Sequence, residues 1–96
     1  MVLDWTQKEQ KVLQTFLDGE RIVQLPVKLK KRLVILRWLL DHVETNRTYD
    51  ETEINALISK HHPDYATIRR EWIVFGWMER DHGTYWRTSE DPVWRR

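Results

Sequence analysis

Apolar residues recur at helical spacing in several stretches of this chain. In TQKEQKVLQTFL, Val12, Leu13, Phe16 and Leu17 form one stripe. Thr6 and Glu9 stand at capping-box spacing and Gly19 offers a left-handed stop, so a helix is predicted over about Thr6–Leu17. ERIVQLP then reads as a short extended segment closed by Pro26. The strongest pattern follows. Over about Val27–Val43, residues Leu29, Leu33, Ile35, Leu36, Leu39, Leu40 and Val43 share one broad face, as a core-facing helix requires. Val34 and Trp38 fall on the opposite face. They need cover from the N-terminal helix, from RIVQL or from a second chain.

A third helix has a clear start. Asp50 and Glu53 make a capping box, Tyr49 and Ile54 make a hydrophobic staple, and Ile54, Leu57 and Ile58 point inward before an end near Lys60. HHPD turns the chain into a fourth helix, with Pro63 and Asp64 as start signals. Tyr65, Ile68, Trp72 and Phe75 share its inward face and Gly76 ends it. WMERDHGTYWRT alternates around DHG, where Gly83 supplies the positive φ of a hairpin turn. The tail SEDPVWRR has no periodicity and is expected to be flexible, with Trp94 tucked back.

From Val27 onward the order is helix, short RTY segment, helix, helix, hairpin. That is the order of a winged helix-turn-helix. The expected fold class is mostly α (α+β): a winged helix-turn-helix-like domain with an N-terminal helix and short strand and a C-terminal β-hairpin wing. Residues 1–88 form one domain and residues 89–96 a flexible tail.

The bulk numbers fit this picture. A chain of 96 residues has room for one small domain. With 41% hydrophobic and 32% charged residues it carries no mark of disorder. It has no cysteine, which excludes disulfides, thiolate catalysis and cysteine-bound zinc. LVILRWLL is broken by Arg37 and falls far short of the roughly 20 residues of a membrane span. MVLDWTQKEQ does not have the form of a signal peptide. A cytoplasmic protein with no membrane contact is expected.

Net charge is only +1, but its distribution is uneven. Between residues 20 and 37, Arg21, Lys28, Lys30, Lys31, Arg32 and Arg37 face a single acid. Between residues 41 and 53, Asp41, Glu44, Asp50, Glu51 and Glu53 face only Arg47. A basic end and an acidic end follow.

FLDGERIVQLPVKLKKRLVILRWLLDHVE, TYDETEINALI and DYATIRREWIVFGWMERDHGTYWR together carry a resemblance. In this order they are similar to the bacterial domain-of-unknown-function family 2087, over about Phe16–Thr88. The family pattern has a Gly-led turn before an Ile-Pro pair, a lysine-rich helix start, a Y-x-E-x-E-(V/I)-N run, a D-x-x-x-(L/I)-R-R run and a Tyr-Trp-Arg ending. Leu25 stands where the family has isoleucine, Asp50 precedes the first matched glutamate, and Trp72 replaces an aliphatic. All three are packing variations. The resemblance implies a regulatory setting, since members occur alone or attached to bacterial transcription regulators. Some carry a separate ArsR-like helix-turn-helix, which weakens the inference that this module itself reads DNA.

VKLKKR is the most informative feature for chemistry. Lys28, Lys30, Lys31 and Arg32 crowd the first turns of a helix, where the macrodipole disfavours each cation by about 0.3–1 kcal/mol at low salt. A local rule broken in this way fits a phosphate-contacting patch. It also fits a solvated face that pairs with acids elsewhere. Arg69 borders the core and is expected to bridge to Glu53 or Asp50. Arg70 points outward, toward a phosphate or a guanine edge, together with Thr67, Glu71 and Val74. Glu71 would repel phosphates, which argues against a dense groove interface. The wing offers Arg80, His82, Tyr85, Trp86 and Arg87 for backbone contacts, for stacking of single-stranded bases or for a protein interface. Alternation turns one of Tyr85 and Trp86 inward onto the fourth helix.

His42, His61, His62 and His82 show no Glu-x-x-His or His-x-x-x-His spacing, so no metal site is expected. No phosphate loop or serine elbow is present, no paired carboxylates stand in an identifiable pocket, and Glu51 and Glu53 are explained by capping, so no enzyme activity and no cofactor are expected. Two functions remain. One is a nucleic-acid-binding regulator, with DNA contacted through Lys28, Lys30, Lys31, Arg32, Arg70, Arg80 and Arg87. The other is a dimerisation or regulatory-partner module using Val34, Trp38, Tyr85 and Trp86, with no DNA binding of its own.

Overall fold

The computed structural model describes residues 5–88. The expectations for the tail 89–96, Trp94 included, lie outside the described residues. Four helices and two small antiparallel sheets follow one another as α1 (Gln7–Phe16), β1 (Leu17–Asp18), β2 (Arg21–Ile22), α2 (Leu29–Leu40), β3 (Tyr49–Asp50), α3 (Glu51–Ser59), α4 (Tyr65–Val74), β4 (Met78–Asp81) and β5 (Thr84–Arg87). None of these helices is long and apolar enough to cross a membrane.

Side-chain caps mark three of the helix starts. Thr6 and Glu9 form the capping box of α1, and Asp50 and Glu53 that of α3. Asp64 caps α4 by accepting from the Thr67 N–H at 3.3 Å. Helix α2 differs: Lys28 occupies its N-cap and gives no side-chain hydrogen bond. Its start is held from outside, by Arg32 contacts to Glu71 and to the Pro26 carbonyl.

Gly19 does not end α1 as its sequence position suggests. The chain is already extended at Leu17, with φ −113° and ψ 145°. Gly19 (φ +61°) instead turns a two-residue hairpin that pairs Leu17 with Ile22 and Asp18 with Arg21. That hairpin is fastened to the helical core where the Ile22 N–H donates to the His61 carbonyl at 2.8 Å. At the other end of α1, the Arg37 guanidinium carbon lies 4.6 Å from the centre of the Trp5 ring, a cation–π contact between α1's approach and α2.

The core collects one face from each of α2, α3 and α4 and the inner face of the larger sheet. Ile35, Leu36, Leu39, Leu40, Val43, Ile54, Ile58, Ile68, Trp72 and Tyr85 are all buried there. Trp72 is its largest fully buried side chain. Burying such a ring removes roughly 150–250 Å² from water, worth about 4–6 kcal/mol at about 25 cal/mol per Å². Its indole N–H donates to the Leu36 carbonyl at 3.0 Å, so the polar atom is satisfied.

The larger sheet has the order β3–β5–β4, all antiparallel. Tyr49 lies opposite Tyr85, and Arg80 lies opposite Tyr85 on the other side. His82 and Gly83 make the hairpin turn with φ of +49° and +81°, the paired positive values that a two-residue turn between twisted strands needs. Gly76 (φ +78°) closes α4 as expected.

Two inward assignments fail at helix starts. Leu29 is 57% exposed and Tyr65 is 39% exposed, although each falls on its helix's apolar face. Both occupy the first residue of their helix, where the stripe runs past the end of the packed partner.

Candidate nucleic-acid interface

The start of α2 is fixed by one ion pair. Arg32 Nε and Nη2 donate to the two carboxylate oxygens of Glu71 on α4, each at 2.7 Å, and Arg32 Nη1 donates to the Pro26 carbonyl at 3.1 Å. The two side chains are only 21% and 24% exposed. The hydrogen bonds it donates to Glu71 raise the Arg32 pKa above its ordinary value, against the opposing pull of burial. Arg32 is thus committed to an internal bridge and is not free for a phosphate. Glu71 is neutralised by the same contact, which removes the repulsion its outward position suggested.

The bridge sets the surroundings of the remaining cations. Lys28 stands four residues before Arg32, at the extended N-cap of α2. Arg70 precedes Glu71 in sequence and is exposed. The Asp64 carboxylate acts on both Arg32 and Arg70. Lys28, Lys30, Lys31, Arg70 and Arg80 all present exposed side chains.

Lys30 and Lys31 stand beside α1. With Lys8 and Lys11 they rim a cleft of about 620 Å³ whose apolar wall is made by Val12, Phe16, Leu33 and Val34, and Glu9 is its one acid. Sequence spacing puts Lys8 and Lys11 on one face of α1 but gives them no task. Only the packing of α1 on α2 brings that face to Lys30 and Lys31.

Arg87 departs from the expected role. It is half-buried, and its Nη1 donates to the Val43 carbonyl at 3.1 Å. Burial pushes its guanidinium below the ordinary arginine pKa, with the Asp41 carboxylate opposing that shift. The reason is strand alternation: Arg87 shares a face with Tyr85, which is 1% exposed. Tyr85 therefore offers no surface for stacking or docking, and its hydroxyl donates to Glu51 Oε1 at 2.9 Å. Trp86 faces the other side, partly exposed, with its indole N–H donating to Glu79 Oε1 at 3.2 Å.

Val34 and Trp38 find cover within the chain. Val34 is 6% exposed, beneath α1. Trp38 is partly buried, with its ring edge-on to His42 and His61 at centroid distances of 4.9 and 5.4 Å. Arg69 does bridge α4 to α3, but not through Glu53 or Asp50. Its Nη1 donates to Asn55 Oδ1, and its guanidinium carbon lies 5.7 Å from the centre of the Tyr85 ring. Glu53 is taken instead by Arg47, which also reaches Glu44.

No curated protein and no solved structure matches the chain. A family model does, that of "Uncharacterized protein conserved in bacteria (DUF2087)", over residues 21–87. The match begins at β2 and ends with β5, so it spans the Arg32–Glu71 bridge and the three-stranded sheet and leaves out α1. With more than half of its length matched, the chain belongs to the bacterial family DUF2087.

Proposed function

We propose that this domain is a winged-helix module that binds nucleic acid, with duplex DNA as its ligand, in the cytoplasmic regulation of bacterial transcription. The role is binding, not catalysis. The element order from α2 to β5 and the sheet order β3–β5–β4 support the winged-helix reading, with α4 as the recognition helix and β4–β5 as the wing.

The observation that carries the proposal is the Arg32–Glu71 bridge. It clamps a helix start crowded with lysines against the helix expected to enter the groove, and it uses up that helix's outward acid. Lys28 and Arg70 then flank one junction, with Lys30, Lys31 and Arg80 as outlying phosphate contacts. Fluorescence anisotropy of a labelled duplex tests this. Micromolar or tighter binding is expected, weakened by Lys28→Ala, Lys31→Ala and Arg70→Ala and unmoved by Glu44→Ala. Absence of binding at low salt would sink the proposal.

The cleft between α1 and α2 favours a second reading, a docking module for a regulatory partner. Its apolar wall and lysine rim match an acidic amphipathic helix, charge meeting charge over an apolar stripe. A synthetic acidic amphipathic peptide should then bind, and Lys11→Glu with Lys30→Glu should abolish that binding without touching Arg70. Peptide binding that survives the charge reversal would remove this reading.

A further inference from the structure

Glu20, His42 and His61 are far apart in sequence and meet in the fold. Glu20 lies in the β1–β2 turn, His42 just beyond α2 and His61 just beyond α3. A carboxylate oxygen of Glu20 and one nitrogen from each imidazole lie within 4.8 Å of one another. Glu20 Oε1 is 3.8 Å from His42 Nε2, and the two imidazole centroids are 4.5 Å apart.

Both rings are oriented by backbone carbonyls. His61 Nδ1 is 2.5 Å from the Glu20 carbonyl oxygen. His42 Nδ1 is 3.2 and 3.3 Å from the carbonyls of Trp38 and Leu39. A carbonyl only accepts, so Nδ1 carries the proton in each ring. In the neutral ring Nε2 is then left with its lone pair. A metal-binding histidine is commonly held in this way, with its second nitrogen donating to a carbonyl. The Trp38 ring packs edge-on against both imidazoles and limits their rotation.

We propose that Glu20, His42 and His61 form a binding site for a divalent transition-metal ion, with zinc as the best match. Two imidazoles and one carboxylate are a donor set of three-ligand zinc sites, which leave a fourth position for water. Calcium and magnesium prefer all-oxygen shells and fit poorly. The Cα-side framework is in place, but the ligand atoms are spread wider than the roughly 3.3 Å edge implied by bonds of about 2.0–2.1 Å. The Glu20 side chain, 80% exposed, is free to bring its carboxylate closer to the imidazoles. The site lies beyond the C-terminal ends of α2 and α3, where the carbonyl ends of the helix dipoles favour a cation. A bound ion would tie the N-terminal hairpin to both helix ends.

The test is calorimetric titration of the metal-free full chain with Zn²⁺, paired with thermal melts and with Co²⁺ absorption spectra. The expected result is one saturable ion per chain, a raised melting temperature reversed by EDTA, and visible Co²⁺ bands of a tetrahedral nitrogen–oxygen site. His42→Ala and Glu20→Gln should each weaken binding by about tenfold or more, while His62→Ala and His82→Ala should leave it intact. If His42→Ala unfolds, Glu20→Gln decides, since its side chain reaches solvent. No saturable binding, or binding that both Glu20→Gln and His42→Ala leave unchanged, would overturn the proposal.

Discussion

Arg32 and Glu71 meet in a two-pronged ion pair between the first turn of α2 and the outward side of α4, with both N···O distances at 2.7 Å. The pair joins residues 39 positions apart. It explains how α2 starts without a side-chain cap: Arg32 also holds the Pro26 carbonyl, just ahead of the helix. Arg32→Ala should destabilise the domain by about 1.5–3 kcal/mol, the range for hydrogen bonds to charged groups. Arg32→Lys should recover only part of it, because an ammonium cannot make the planar double contact. Urea unfolding of Arg32→Ala, Glu71→Ala and the double variant checks this. The double variant should cost clearly less than the sum of the singles.

Tyr85 has a structural task, and its neighbour Trp86 does not share it. Tyr85→Phe removes the hydroxyl that reaches Glu51 and should cost about 1 kcal/mol. Trp86→Ala should cost less than Tyr85→Ala, which empties a fully buried position and should cost about 3–5 kcal/mol. Thermal melts of the three variants rank them. Equal losses for Tyr85→Ala and Trp86→Ala would contradict the strand alternation that buries one ring and not the other.

Acid should loosen the start of α4. The hydrogen bonds from Thr67 hold the Asp64 carboxyl below its ordinary value of 3.8. The folded pKa is depressed, so the unfolded state binds the proton more readily. The stabilisation is present above 3.8 and is lost as pH falls through the folded value. Asn caps helices about as well as Asp. Asp64→Asn should therefore melt near the wild-type temperature at neutral pH and lose less stability between about pH 5 and pH 2. Parallel acid limbs for the two proteins would contradict this.

The hairpin turn depends on Gly83. At φ +81° a side chain is strained even though the space around it is open. Gly83→Ala should cost about 1 kcal/mol, and Gly83→Val more, because a β-branched residue tolerates that backbone least. Chemical denaturation with an unchanged m-value would show the loss as one of stability alone.

Local signals in the sequence are strong enough to place most elements. The capping boxes at Thr6 and Asp50, the glycine stop at Gly76 and the glycine turn at Gly83 operate within four residues, so they can be read without the fold. The inward turn of Arg87 is legible too: the alternation that buries Tyr85 also carries Arg87 inward. What the sequence hides is pairing at a distance. Nothing near Arg32 announces Glu71, and nothing near Arg69 announces Asn55 over Glu53. The cleft lysines and the meeting of Glu20, His42 and His61 are hidden for the same reason. Each depends on how α1 and the first hairpin lie against the helical core, which periodicity does not encode.

If duplex DNA is the ligand, the lysine-rich start of α2 and Arg70 contact its phosphates. The most direct measurement is the salt dependence of duplex DNA affinity for the wild type and for the Lys28→Ala, Lys31→Ala, Arg70→Ala triple variant. The logarithm of affinity should fall steeply with the logarithm of salt in the wild type. The triple variant should flatten that slope by about 0.9 for every phosphate that is no longer neutralised. An unchanged slope in a folded triple variant would contradict phosphate contact by these residues.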